Sequence, residues 1–170
     1  MKIRKAVSAV AALALSSALA ALAAPAFAVT VTRADGQAMN PNGEPFSALG
    51  ITALSKGGNN VNCTTRFNGT ITSSGIVTIT STQFTGSGLC GVITGSASST
   101  SPWTGQADSA TQLTINNAQV SVWVLGTCGP SKVVTEWSDP KSTLTFKYTP
   151  LAPDCKVAGM LETSPKFHVQ

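Results

Sequence analysis

Apolar and polar residues alternate along much of the chain after residue 28, and a two-residue period of this kind predicts β-strands. No helical period is present in that part of the sequence. Runs rich in Val, Ile, Thr and aromatic residues are separated by Gly, Asn, Ser and Pro, which favour turns. Two sets are each expected to lie on one face of a strand: Val120, Val122 and Val124, and Leu144, Phe146 and Tyr148.

About eight strands follow from this pattern. They are expected at 47–54, 60–71, 75–83, 89–94, 112–125, 132–138, 142–148 and 155–161. Many short strands joined by turns predict one all-β domain over 29–170, an antiparallel β-sandwich with a barrel as the alternative. The segment 30–44 is expected to be an irregular arm, and 103–112 a linker.

The first 28 residues differ from the rest and resemble an export signal. Lys2, Arg4 and Lys5 precede an Ala/Leu-rich stretch that ends in an A-x-A pattern at Ala28. This arrangement predicts a secretory signal peptide over 1–28 and cleavage before Val29. No later run has the apolar length that a membrane span needs. The mature protein is therefore expected in the periplasm or outside the cell, with no transmembrane segment.

Removal of this segment changes the charge of the protein. The whole chain has a formal net charge of +4, with 11 basic and 7 acidic residues. Residues 29–170 retain 8 basic and 7 acidic residues, a net charge of +1, together with 38 Ser and Thr. A nucleic-acid partner is therefore not expected, because phosphate binding needs a basic surface.

Four cysteines lie in the mature part, which is typical of disulfides in an exported chain. The separation between Cys63 and Cys90 equals that between Cys128 and Cys155, at 27 positions. Three pairings are possible for four cysteines, and the equal spacing favours 63–90 with 128–155. The segments around the two pairs also align in their turns and threonines, which predicts an internal repeat over 41–103 and 107–168.

Residues suited to catalysis are few and scattered. His168 is the only histidine and lies two residues from the C-terminus. No nucleophile elbow, zinc motif or phosphate-binding glycine loop is present. Glu136 and Asp139 are expected in a solvated turn, and the acids and amides of 35–44 miss the spacing of a known calcium loop. The sequence therefore predicts no enzyme, no catalytic residue, no metal and no cofactor.

Three tryptophans remain as candidate contacts to a ligand or an apolar surface: Trp103, Trp123 and Trp137. Exposed tryptophans can form a platform for sugars or apolar ligands, whereas buried ones pack in the core. Trp123 falls opposite the Val120 and Val122 face of its strand, so one of these two faces is expected to point away from the core.

The framework of cysteines, tryptophans and turns resembles the alkane oxidation activator family, the PraB-like secreted proteins of proteobacteria. The matching features are Cys63, Phe67-Asn68-Gly69-Thr70, Phe84-Thr85-Gly86, Cys90, Ser101-Pro102-Trp103-Thr104, Cys128-Gly129-Pro130-Ser131, Trp137, Asp154-Cys155 and Thr163-Ser164-Pro165. The resemblance implies a small secreted protein without enzymatic activity that promotes growth on hydrocarbons. It further implies action at the cell surface or the oil–water interface, and a place in the biofilm matrix.

Two other functions stay open at this stage. A structural adhesin or fimbria-like subunit could assemble by strand addition, with the polar arm 29–46 as its donor strand. A secreted hydrolase or carbohydrate-binding module is third. The partners expected under the first hypothesis are an apolar substrate or interface and components of the cell surface or matrix.

Overall fold

The computed structural model describes residues 29–170, so the signal peptide expected at 1–28 lies outside the described residues. Eleven β-strands and one short 3₁₀ turn, Gly88–Val92, make up this part. The strands are β1 Val31–Arg33, β2 Glu44–Lys56, β3 Asn59–Ile71, β4 Ile76–Thr85, β5 Ile93–Gly95, β6 Trp103–Ser109, β7 Gln112–Val122, β8 Gly126–Ser138, β9 Thr143–Leu151, β10 Cys155–Ser164 and β11 Phe167–Val169.

Eight of these strands close into an antiparallel barrel. Each strand of the series β2, β3, β4, β6, β7, β8, β9 and β10 pairs with the next, and β10 pairs back onto β2 over ten positions. The all-β prediction is confirmed, but the sandwich is wrong and the alternative, a barrel, is correct. Both architectures bury alternate residues, so alternation alone cannot show whether the first and last strands meet.

The segment 103–112, expected as a linker, supplies the strand β6. This strand pairs with β4 through Ile79 and Trp103 and with the first half of β7. The short strand β5 pairs with the second half of β7. It therefore continues the position in the wall that β6 occupies beside the first half of β7. The expected strand 89–94 is mostly the 3₁₀ turn, with Cys90 at its buried centre.

One end of the barrel is covered by the two terminal strands. β1 pairs with β11, and Val31, Phe167 and Val169 of this ribbon are all buried. The ring of Phe167 packs edge-on against Phe46 with 6.5 Å between centroids. The arm expected at 30–44 therefore contains a packed strand, and this end of the barrel is filled.

Strand β9 departs from simple alternation at its middle. Leu144 and Phe146 face the interior as expected, but Tyr148 is exposed. A bulge opposite Ala158 inserts an extra residue here, and Tyr148 has a positive φ of 49°. An inserted residue reverses the facing of the side chains that follow, which explains why Tyr148 leaves the predicted inner face.

The barrel wall is weakest between β8 and β9. Within the described residues these strands pair at only three positions, from Ser138 with Thr143 to Glu136 with Thr145. Pro130 lies in this stretch of β8 and Pro150 in that of β9, and proline is tolerated in strands mainly where no ladder partner is needed. We call the unpaired stretch, 130–135 beside 146–150, the seam.

Each end of the seam is held by other contacts. At one end the Cys128–Cys155 disulfide joins β8 to the first residue of β10, which pairs with Leu151 at the end of β9, and the Gly129 N–H donates to the Ala152 carbonyl oxygen. At the other end Lys147 forms a 2.6 Å ion pair with Glu136. The seam is therefore closed by local contacts rather than by a continuous ladder.

The structure contains two disulfides, Cys63–Cys90 and Cys128–Cys155, which are the pairs that the equal spacing favours. Cys63 lies on β3 and Cys128 on β8. Each chain segment between paired cysteines contains one complete strand, β4 in the first and β9 in the second. The proposed internal repeat is compatible with this arrangement and stays a prediction. No helix among residues 29–170 is long and apolar enough to cross a membrane.

Candidate functional site

Trp103 and Trp137, two of the three candidate contact residues, belong to the core. Trp103 lies at the start of β6, where its indole packs edge-on against Phe67 at 5.6 Å and its Nε1–H donates to Ser96 Oγ at 2.9 Å. The Nε1–H of Trp137 donates to Asp139 Oδ1 at 3.3 Å. Both side chains are buried, with their polar atoms satisfied. They stabilise the barrel and are not available as a surface platform.

Trp123, by contrast, is the most exposed large apolar side chain of the described residues, at 86% of its accessible surface. It lies in a β-turn that joins β7 to β8, closed by the Leu125 N–H donating to the Val122 carbonyl oxygen at 3.0 Å. Trp123 and Val124 are the two central residues of this turn. Central turn positions usually carry Gly, Pro, Asn, Asp or Ser, so two large apolar residues there are unusual.

The local sequence explains why the hairpin turns at this place. Gly126 follows with a positive φ of 83°, which glycine adopts without steric cost. A turn followed by such a residue is a common three-residue hairpin connection. Alternation therefore ends at Val122, and Val124 leaves the face that it was expected to share with Val120 and Val122.

A third apolar residue lies beside this turn. Val92 precedes Ile93, which pairs directly with Val122, and Val92 is itself exposed. We call Val92, Trp123 and Val124 the apolar tip. Both disulfides lie at the same end of the barrel as the tip, so the scaffold beneath it is covalently fixed.

A charged residue near the tip is already neutralised. Lys56, at the end of β2, extends its side chain to the Thr127 carbonyl oxygen at 3.0 Å and lies 3.5 Å from Asp154. Its side chain is only 15% exposed. The Lys56 ammonium group is therefore held by Thr127 and Asp154 at this end of the barrel and does not project into the solvent beside the tip.

The barrel interior contains two small apolar cavities, one of about 50 Å³ near the tip end and one of about 20 Å³ toward the capped end. The lining of the larger one includes Leu54, Phe84, Trp103, Ile115 and Phe146. Pockets that bind small molecules usually measure about 300–1,000 Å³. The interior is therefore a packed core, and contacts with a large apolar partner must be made on the outer surface.

The wall of the barrel carries a second exposed apolar area. Ile51 on β2 pairs directly with Met160 on β10, and both side chains point outward. Leu49 lies two residues before Ile51 on the same face, and Tyr148 lies on the neighbouring strand β9. The four are exposed by 42–71%. We call them the wall patch.

The acidic residues considered for chemistry are engaged in structural contacts. Asp139 bonds His168 Nδ1 at 2.8 Å and accepts from the Val169 N–H at 2.6 Å. Partial burial raises the pKa of Asp139, but these bonds outweigh it and hold the pKa below its usual value. The Ser142 hydroxyl in the same region is buried against Thr163 Oγ1 and the Phe167 N–H. The Asp–His pair anchors β11.

The arm 30–44 is organised by Arg33. Its guanidinium bonds Asp35 and Glu44, and the Arg33–Asp35 hydrogen bonds lower the pKa of Asp35 to about 2. Glu44 also accepts from the Asn40 N–H at 2.9 Å. Among residues 29–170 no three His, Cys, Asp or Glu side chains form a group that could hold a metal ion.

These features define a class of protein. The described chain is a disulfide-bonded up-and-down β-barrel with a packed interior, a capped end and apolar residues on its outer surface. Two disulfides indicate an oxidising, extracytoplasmic location, because cytosolic thiols are kept reduced.

Comparison with known families identifies the particular group. A family model described as alkane oxidation protein activator PraA/PraB-like matches residues 1–170, the whole chain. The chain therefore belongs to this family, and the resemblance noted from its cysteines and tryptophans is confirmed. The description of the family names activation of alkane oxidation. No curated protein and no solved structure matches the chain.

Proposed function

We propose that this chain is a secreted protein without enzymatic activity that contacts apolar material through its tip and promotes the use of hydrocarbons by the cell. The observation that carries the proposal is the exposure of Trp123 and Val124 at the centre of a turn. The family description supports the connection with alkanes. A place in the biofilm matrix stays a prediction from the resemblance.

The energy available at the tip is large for so few residues. Trp123 exposes roughly 170 Å² if a tryptophan side chain has about 200 Å² of accessible surface. Burial of that area in an apolar phase is worth about 4 kcal/mol at about 25 cal/mol per Å². The disulfides close to the tip reduce the entropy that would be lost when it is ordered at an interface.

Two alternatives are less well supported by the contacts. An adhesin assembled by strand addition would need the segment 29–46 as a free donor strand. That segment is packed, since β1 pairs with β11 and Arg33 bonds both Asp35 and Glu44. For a hydrolase, the Asp139–His168 pair would need a free nucleophile, and the hydroxyl of Ser142 is occupied.

The direct test measures adsorption of the purified mature protein at a hexadecane–water interface by pendant-drop tensiometry. The variant Trp123→Ser/Val124→Ser should lower the apparent affinity for the interface by about 100-fold or more. The control is Val134→Ser, which removes an exposed apolar residue from β8 far from the tip. Equal adsorption of the tip variant and the wild type would refute the assignment of the tip.

The cellular test uses deletion of the gene followed by growth on hexadecane and on a soluble carbon source. We expect slower growth on hexadecane alone, restored by the wild-type gene and not by the tip variant. Restoration by the tip variant would show that the tip is not the functional contact. Equal growth of the deletion strain and the parent on both carbon sources would refute the proposed function itself.

A further inference from the structure

The wall patch is unusual because the outer face of a barrel is ordinarily polar where it meets water. β2 and β10 are paired over ten positions, so this face is formed by two long and regular neighbouring strands. Ile51 and Met160 lie directly opposite one another at its centre. Their exposed apolar surface has no partner within residues 29–170.

The charges around the patch distinguish between an oil phase and a protein partner. Leu49 pairs with Arg66 of β3 on one side and with Glu162 of β10 on the other. Glu162 forms a 2.8 Å ion pair with Lys166, and Arg66 donates to Ser47 Oγ at 3.1 Å. An oil phase covering the patch would have to desolvate Arg66 and the Glu162–Lys166 pair, which is costly. A protein surface with matching charges would not impose that cost.

A second copy of the same chain supplies such a surface. A two-fold axis lying in the contact plane and parallel to β2 places β2 of one copy against β2 of the other. The same rotation exchanges the β3 side with the β10 side, so that Arg66 of each copy faces Glu162 of the other. Ile51 then meets Ile51 at the centre of the contact. The arrangement is isologous, which is the commonest form of dimer contact.

The area of the patch limits the dimer to a weak one. Leu49, Ile51 and Met160, the side chains next to the axis, expose on the order of 300 Å² per copy, taking about 200 Å² for each large side chain. Tyr148 lies on β9, two strands from the axis, and is not counted. Two copies would bury on the order of 600 Å² from these residues, and the polar residues at the border would have to supply the rest. Specific interfaces begin at about 1,200 Å² in total, and contacts at the small end of the range are weak.

We propose that the wall patch is the interface of a homodimer, with Leu49, Ile51 and Met160 at its centre and Arg66 and Glu162 paired between the copies. The dimer is expected to form at micromolar protein concentrations. The inference is independent of the proposed function, because it concerns the wall of the barrel and needs no apolar phase.

The test is sedimentation velocity of the mature protein, without oil or detergent, over a wide range of protein concentrations. The wild type should show a concentration-dependent dimer, and Ile51→Lys should weaken the dimer by about 30-fold or more. Ile76→Lys is the matched control, because Ile76 is exposed by 50% on β4, outside the patch. Circular dichroism and thermal unfolding verify that each variant is folded.

Charge reversal tests the arrangement. Arg66→Glu and Glu162→Arg should each weaken the dimer, and the double variant should regain it, because each copy would again offer opposite charges to the other. A wild type that stays monomeric at all concentrations would overturn the proposal. Equal effects of Ile51→Lys and Ile76→Lys, or a double variant no better than the single ones, would also overturn it. If the monomeric wild type loses adsorption to hexadecane when Ile51 is replaced, the patch belongs to the oil contact instead.

Discussion

The two disulfides provide a controlled comparison, because both close loops with the same sequence separation of 27. In the chain-entropy model each should stabilise the fold by about 3.5 kcal/mol. For a domain of this size, that loss lowers the thermal midpoint by about 10 °C. The Cys63→Ser/Cys90→Ser and Cys128→Ser/Cys155→Ser variants should therefore show similar losses of global stability in urea unfolding.

Their local effects should differ, because the two bridges join different parts of the wall. The Cys63–Cys90 bridge connects β3 to the 3₁₀ turn after β4. β3 and β4 also pair directly along residues 64–71 of β3, so the ladder joins them without the bridge. Cys128–Cys155 joins β8 to the start of β10 at one end of the seam, where β8 and β9 have no ladder over 130–135. Loss of the second bridge should let the seam open at a much lower free energy than global unfolding.

Hydrogen exchange followed by mass spectrometry measures this difference directly. Peptides covering 130–135 and 146–150 should exchange at least about tenfold faster in Cys128→Ser/Cys155→Ser than in Cys63→Ser/Cys90→Ser, under conditions where both variants are folded. Peptides from β2 and β3 serve as the internal reference. Equal exchange of the seam peptides in the two variants would refute the view that local contacts, rather than a ladder, keep the seam closed.

Three further predictions concern a buried tryptophan, the stability of the fold at acidic pH and a glycine at which two strands are in close contact. Trp103→Ala should destabilise the fold by about 3–5 kcal/mol in urea unfolding, because a buried indole is removed, and adsorption of the protein that remains folded should not change. The pKa of Asp139 is lower in the folded state, so its contribution to stability is present above the unfolded value of about 3.9 and is lost as the pH falls through the folded value. The urea midpoint of Asp139→Asn should therefore fall less than that of the wild type between about pH 5 and pH 2. Parallel pH profiles of the two proteins would contradict this. Gly159→Ala should lower the free energy of unfolding by about 2–3 kcal/mol, because Gly159 has a φ of 135° and a Cβ atom there would lie 2.3 Å from the Ile51 carbonyl oxygen. An unchanged thermal midpoint would be inconsistent with this contact.

Much of the fold could be predicted from local pattern. The two-residue period located most strands of the wall, and the equal cysteine spacing favoured the disulfides that the structure contains. The closure of the wall could not be predicted in this way, because the pairing of β2 with β10 joins the two ends of the barrel. The strand β6 was missed because its buried positions after Trp103 are Gly105 and Ala107, which are too small to stand out as an apolar alternation.

The candidate site was predictable only in part. Trp123 was one of three tryptophans, and the pattern alone could not separate the exposed one from Trp103 and Trp137. The exposed position depends on where alternation ends, and Gly126 is the local signal, since a glycine after Leu125 permits the hairpin to turn at Trp123 and Val124. Tyr148 gave no comparable signal, because the bulge that exposes it depends on the pairing of β9 with β10.

The tip and the wall patch act together if the proposed dimer forms. A two-fold axis parallel to a strand does not reverse the direction of that strand, so the tip ends of both barrels retain a component in the same direction. Barrel strands are tilted by about 35–45°, so the two barrels cross, but both tips still face one side of the dimer. A surface that binds one tip then holds the second at a high effective concentration, which strengthens attachment without any new contact. Weak dimerisation through Ile51 would thus convert two modest contacts by Trp123 into firm adsorption at an extended apolar surface.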